Sequence, residues 1–253
     1  MADRDFTFRL YKKLLLQFQA QRYRIIPFRD YLEKDQSEKC LILRHDVDKY
    51  PENALICAGI EKEYNIRSTY YFRIVKESCN PEIIRKIEDM GHEIGYHYED
   101  LSLAKGDPEK AIELFGNHLA TLRQIAIIKT ICTHGNPLSR WDNLLMWRKY
   151  NYREFNIIGE PFIELDFRKI YYLTDTGRRW DAYKSNVRDK VETTIKFPIR
   201  KTADLINWLE KDSLPGIIML NMHPQRWNDN YFRWGKELVL QNAKNQVKRF
   251  LSG

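Results

Sequence analysis

Five times along this chain a short apolar run of β-like composition stops abruptly at a cluster of polar side chains. The runs end in His45-Asp46-Val47-Asp48, His97-Tyr98-Glu99-Asp100, Thr133-His134-Gly135-Asn136-Pro137, Thr174-Asp175-Thr176-Gly177 and Asn221-Met222-His223-Pro224. Segments of helical period separate them, long enough to act as crossovers between parallel strands. In parallel sheets and barrels the chemistry-bearing groups sit where strands end. The fold class this predicts is α/β, an irregular (β/α) barrel of about seven strands with an N-terminal helical extension and a long C-terminal helix.

Strands are expected at residues 23–27 (a short run), 40–45, 68–74, 93–97, 130–133, 155–158, 170–174, 194–197 and 216–222. Helices are expected at 6–19, 52–64, 81–90, 107–126, 142–150, 202–211 and 230–251, with Pro51 and Asn80-Pro81 as start signals and Gly91 as a stop. No repeat or linker interrupts the 253 residues, so they read as a single domain: an extension over 1–39, a barrel over 40–227 and a terminal helix over 228–253.

Composition narrows the function classes. The net charge of +7 comes from 42 basic and 35 acidic residues mixed along the chain, which fits a solvated surface better than a nucleic-acid interface and leaves a small anion such as a nucleotide-sugar diphosphate open as a ligand. Residues 1–8 lack the apolar core of a signal peptide and no apolar stretch reaches membrane-spanning length, so a cytoplasmic location is expected. Cys40, Cys57, Cys79 and Cys132 are widely spaced and read as reduced structural thiols. Neither a Gly-rich phosphate loop nor a G-x-S-x-G elbow is present, which removes support for kinase, dinucleotide and serine hydrolase chemistry.

Asp46 and Asp48 stand two apart, so an extended backbone points both to one side. Two crowded carboxylates call for a compensating cation or donor. A divalent metal, zinc by preference, held by one Asp and by His97 meets that need and leaves the other Asp as general base. The opposing reading, that both Asp residues cap the helix near Glu52, is weakened because Pro51 already marks its start. His92 enters its strand and reads as structural, as does His118 within a helix. His134 lies on a loop and reads equally as ligand, substrate contact or turn residue. His223 closes the run Ile217-Ile218-Met219-Leu220 and is placed to donate a proton to a leaving group. Asp175 is a candidate catalytic partner, and Arg178, Trp180, Asn136 and Trp227 are candidate substrate-binding residues, the indoles offering faces for a pyranose ring.

These clusters, in this order, resemble the polysaccharide deacetylase superfamily, the NodB-homology carbohydrate esterases, and within it the cytosolic proteins associated with surface-polysaccharide genes. The similarity covers roughly residues 40–227 and rests on Arg44-His45-Asp46-Val47-Asp48, Ser68-Thr69-Tyr70-Tyr71-Phe72, Gly91-His92-Glu93-Ile94-Gly95-Tyr96-His97, Thr133-His134-Gly135-Asn136-Pro137, Asp175-Thr176-Gly177-Arg178-Arg179-Trp180 and Met222-His223-Pro224-Gln225-Arg226-Trp227. The resemblance implies a distorted barrel and metal-dependent removal of an N-acetyl group from a sugar. It implies Asp46 as base, Asp48 as metal carboxylate, His97 as first metal histidine and His223 as acid. Two departures stand out. Val47 splits the family's adjacent Asp pair, which leaves the reverse assignment of base and ligand open. The second metal histidine, expected four residues after His97, is Leu101, so His134 or Glu99 has to substitute.

The function expected is a metal-dependent hydrolase acting on the acyl amide of a sugar or nucleotide-sugar precursor in surface glycan synthesis. The alternatives are a non-catalytic glycan or nucleotide-sugar binding protein and a metal-independent cyclic amidase.

Overall fold

The computed structural model describes residues 4–33, 39–135, 139–181, 191–193 and 195–252. The chain alternates helices and strands. Helix α1 (Phe8–Ala20) is followed by strand β1 (Arg24–Ile26), α2 (Phe28–Glu33), β2 (Cys40–Val47), α3 (Pro51–Glu63), β3 (Thr69–Phe72), α4 (Pro81–Asp89) and β4 (Glu93–Tyr98). The short α5 (Asp100–Leu103), α6 (Pro108–Arg123), β5 (Ile128–Thr133), α7 (Pro161–Glu164), β6 (Tyr171–Thr174), α8 (Thr202–Glu210), β7 (Ile217–Met222) and α9 (Tyr231–Ser252) complete it. Local chemistry sets several boundaries. Thr7, Asn80 and Asp107 cap α1, α4 and α6 by accepting backbone N–H groups. Gly91, at φ 95°, stops α4 in a conformation that disfavours a side chain.

All seven strands pair in parallel, in the order β5-β4-β3-β2-β7-β6, with β1 beside β2. Strands β1 and β3 share one edge of β2. The first covers its opening residues (Ile26 opposite Ile42), and the second its last (Arg44 opposite Thr69, Val47 opposite Phe72). Among the described residues no ladder joins β5 to β6. That arc is crossed by 3₁₀ turns at Asn143–Arg148 and Tyr152–Phe155, by α7 and by one bridge between Thr130 and Gly159. The sheet is thus the irregular seven-stranded (β/α) barrel expected, open between its end strands.

Strand alternation sorts β2 into two environments. Leu41, Leu43 and Val47 join the main core under the helices, while Cys40 and Ile42 belong to the smaller cluster enclosed by the sheet with Phe28, Phe167 and Met219. Arg44 and Asp46 continue the enclosed face. His45 faces outward and meets Glu61 of α3. A close approach fixes the register beside it: a Cβ on Gly95 would lie 2.3 Å from the ring of Tyr71, whose hydroxyl reaches Thr130 Oγ1 on β5 at 3.1 Å.

Two expected strands are not strands. Residues 155–158 leave a 3₁₀ turn through Asn156 at φ 55°, and Phe155 packs edge-on against Phe115 instead of entering a ladder. In the run expected at 194–197, Thr194 lies outside the described residues. Phe197 anchors a loop between Tyr171 and Trp208, with ring centroids 5.1 and 5.0 Å away. In both runs apolarity serves side-chain anchoring, which composition alone does not distinguish from pairing. The helix expected at 142–150 is the shorter 3₁₀ turn, and α2, α5 and α7 are too short for periodicity to reveal. Among the described residues no helix is long and apolar enough to cross a membrane.

Candidate metal centre and acid–base groups

The carboxyl ends of β2, β4, β5 and β7 bring together Asp46, Asp48, His97, His134 and His223. Neither Asp caps α3: its N-cap is Tyr50, left-handed at φ 56°, with no side-chain cap bond. Asp46 is held through one oxygen. Its Oδ2 accepts from Arg44 Nη2 at 2.7 Å and from Asn221 Nδ2 at 3.0 Å. Asp48 is held the same way, its Oδ2 accepting from Gln225 Nε2 at 2.8 Å. The second oxygen, Oδ1, is buried in each; that of Asp46 has no hydrogen-bond partner among the described residues, and that of Asp48 faces the His134 ring. Buried carboxylate oxygens are costly to leave unpaired.

Of the two imidazoles that face them, His97 is prepared as an acceptor. His97 Nδ1 is 3.0 Å from the carbonyl of Cys132, so it carries the proton and Nε2 keeps its lone pair, an arrangement common to metal-binding histidines. Burial pushes the His97 pKa down to about 4, so the ring is neutral at physiological pH. His134 Nδ1 lies 3.2 Å from Asp48 Oδ1 and 3.3 Å from His97 Nε2, and His97 Nε2 is 3.7 Å from Asp48 Oδ1. Tetrahedral coordination at about 2.0 Å places ligand atoms roughly 3.3 Å apart. One carboxylate oxygen and two imidazole nitrogens at these separations therefore fit a divalent cation. A second grouping, Asp46, His97 and Cys132, shares His97.

Of the two substitutes for the missing histidine, His134 is the one that reaches. Leu101 is packed into the core on α5. Glu99 is turned toward Arg73, bonded at 2.9 Å through Nε, and its other oxygen is 3.8 Å from His134 Nε2. Electrostatics separate the two Asp residues. Burial raises both, but at Asp46 the Arg44 guanidinium together with His97 and His223 outweighs it, and at Asp48 the His134 ring together with His223 and His97 does so, taking Asp48 well below the usual range. For His134 burial acts downward, and the Asp48 carboxylate reverses the direction.

His223 sits on a second carboxylate. Asp175 Oδ1 accepts from His223 Nδ1 and from Arg226 Nη1, both at 2.7 Å, while Oδ2 accepts from the His223 backbone N–H at 3.0 Å and Trp227 Nε1 at 2.8 Å. Burial would push Asp175 up, but the charges of Arg226 and His223 hold it at about 2. The pairing fixes the ring and leaves Nε2 for proton transfer.

Solved structures resemble the chain. The CE4 family pseudoenzyme BA3943 from Bacillus anthracis is 13% identical with a TM-score of 0.44, the match covering 85% of this chain and 63% of that one. The Bacillus subtilis peptidoglycan deacetylase PdaC is 14% identical with a TM-score of 0.39, covering 85% and 98%. The Bc1960 peptidoglycan N-acetylglucosamine deacetylase is 16% identical with a TM-score of 0.41, covering 91% and 90%. No protein-family profile and no curated protein matches the chain. At such identities the likeness is one of fold alone and says nothing of the site.

Three of the four expected substrate-binding residues are placed differently from a sugar-lined wall. Trp227 is fully buried between Phe6 and Tyr11 and acts as a donor to Asp175. Trp180 is buried beside Phe6, its Nε1 donating to Thr202. Arg178 donates to the Trp234 carbonyl and lies over the rings of Phe6 and Trp234. Asn136 lies outside the described residues. Conversely, sequence reasoning gave no role to Arg44, Asn221 or Gln225. Arg44 stands two before Asp46, the spacing that puts both on one strand face. Gln225 sits in a 3₁₀ turn (Pro224–Arg226), where periodicity carries no signal.

Proposed function

We propose that the protein is a metal-dependent amide hydrolase that removes an N-acyl group from a sugar or nucleotide-sugar precursor of a surface glycan. One observation carries the reading: Asp48 Oδ1, His97 Nε2 and His134 Nδ1 lie 3.2 to 3.7 Å from one another. Asp48, His97 and His134 would hold the metal, with Gln225 and the Cys132 carbonyl orienting them. A bound divalent metal supplies Lewis acidity, polarising a carbonyl and making water more acidic.

The protein's own groups supply the rest. Asp46 is ionised at neutral pH because Arg44 lowers its pKa, so it is always ready to accept a proton at Oδ1. A carboxylate of low pKa is a weak base, and it suits a water whose acidity has been raised. His223, with Nδ1–H kept on Asp175, gives a proton from Nε2 to the leaving amine. Near-complete burial of Asp46 and His97 keeps bulk water from competing for these bonds.

Acetate release from N-acetylhexosamines and their nucleotide-diphosphate conjugates tests the reading. Turnover is expected from the metal-loaded protein, lost on chelation, and reduced about 10²–10⁴-fold by Asp46→Asn with metal binding retained. Turnover that survives both chelation and Asp46→Asn contradicts it.

A further inference from the structure

A cavity of about 330 Å³ adjoins the candidate centre, bounded by the end of β5 and by the segments that span from β5 to β6 and beyond. It touches the site at two points. His134 forms part of its wall, and so does Phe162, whose ring centroid lies 5.1 Å from the guanidinium carbon of Arg44, the residue that pins Asp46. The apolar part of its wall is Trp141, Leu144, Phe162, Leu165, Phe167 and Val191, and the rest is polar. Several of the polar side chains in the wall are bonded to one another or to nearby backbone, while Glu192 at its rim is exposed. Asn143 accepts from Ser102 N at 2.8 Å and donates to the His134 carbonyl at 2.9 Å. Asp166 pairs with Arg168 through both oxygens, at 2.8 and 3.0 Å, and Asp142 accepts from Leu144 N. Along the aromatic part of this wall an alkyl chain needs no polar partner.

We infer that this cavity receives the acyl chain of the amide, and that the chain is longer than acetyl. The inference rests on the hydrolase reading above and names the substrate class for it. An acetyl methyl is about the size of a water molecule, which occupies roughly 30 Å³ in the liquid, so it would leave most of the cavity unfilled. A chain of four to six carbons brings apolar surface against the three aromatic rings, and each buried methylene raises affinity roughly fourfold.

The test is a homologous series of aliphatic hydroxamates (acetyl, butanoyl, hexanoyl) titrated calorimetrically into metal-loaded and metal-free protein. Affinity is expected to rise about 16-fold from acetyl to butanoyl and further to hexanoyl. Leu144→Trp, which narrows the cavity, flattens the series, and Leu144→Phe does so to a lesser degree if the larger ring does not fold. A flat wild-type series, or a slope that Leu144→Trp leaves intact, overturns the acyl assignment. Protein that takes up metal yet gives a flat series loses this inference and keeps the hydrolase reading. A rise in a protein that binds no metal rejects the hydrolase reading and the acyl assignment with it.

Discussion

Asp46 and Asp48 divide their four oxygens in a similar way: Oδ2 of each is held by Arg44 and Asn221 or by Gln225, and Oδ1 of each is left toward the site, that of Asp48 against His134. Arg44 decides the behaviour of Asp46, since it is wholly buried and bonded to it at 2.7 Å. Arg44→Met removes that charge, so the Asp46 pKa rises and the acid limb of the kcat/KM pH profile moves to higher pH. Leaving a buried charge unpaired also costs about 3–5 kcal/mol, measurable by urea unfolding. Asp46, Asp48, His97 and His223 were legible in the sequence because each closes an apolar run. Their partners were less so: Asn221 and Arg44 follow from strand alternation only once the register of β2 against β7 is known. The indoles of Trp180 and Trp227 misled, because aromatic rings suit a sugar and a core equally well.

At the scale of elements, α1, α3 and β3 meet at a buried polar knot behind the site. Glu61 of α3 accepts from His45 at 2.7 Å, from Tyr70 at 2.9 Å and from the hydroxyls of Tyr11 and Ser68, with His92 Nδ1 at 3.4 Å. Burial would push Glu61 up, yet these partners hold it at about 2, against an ordinary 4.5. A depressed carboxyl stabilises the fold above its unfolded pKa. Its contribution, on the order of 3 kcal/mol, is therefore full above about pH 4.5 and lost as pH falls toward 2. Glu61→Gln is expected to lower stability at pH 7 and to weaken its fall between pH 4.5 and 2, as followed by urea midpoints across that range. Gly95→Ala tests the other side of the barrel. Its Cβ would meet the Tyr71 ring at 2.3 Å and the Thr130 carbonyl at 3.1 Å, so a loss of about 1–3 kcal/mol is expected in thermal unfolding. The strands that carry the site were legible from composition, whereas residues 155–158 resembled them in composition and took another role, because Asn156 turns the chain left-handed.

For the whole molecule, the barrel's assembly supplies what local sequence does not. Leu101 occupies the position where the resemblance expects a histidine, and its side chain is in the core. The loop after β5 carries His134 to the same neighbourhood because β4 and β5 pair in parallel, with His97 opposite Cys132 and Tyr98 opposite Thr133. No spacing rule within one segment encodes such a ligand, since the distance that matters runs between strands. The gap between β5 and β6 gives the site its neighbouring cavity, which is likewise absent from any single segment. In the proposed hydrolase, Asp48, His97 and His134 form one metal centre. Calorimetric titration of zinc into wild-type, His134→Ala and Glu99→Gln protein tests it directly. One equivalent is expected to bind to wild-type and to Glu99→Gln, with His134→Ala weakened beyond the roughly 10–100-fold that loss of an outer partner costs. Uptake by His134→Ala as tight as by wild-type, or no uptake by wild-type, would contradict it.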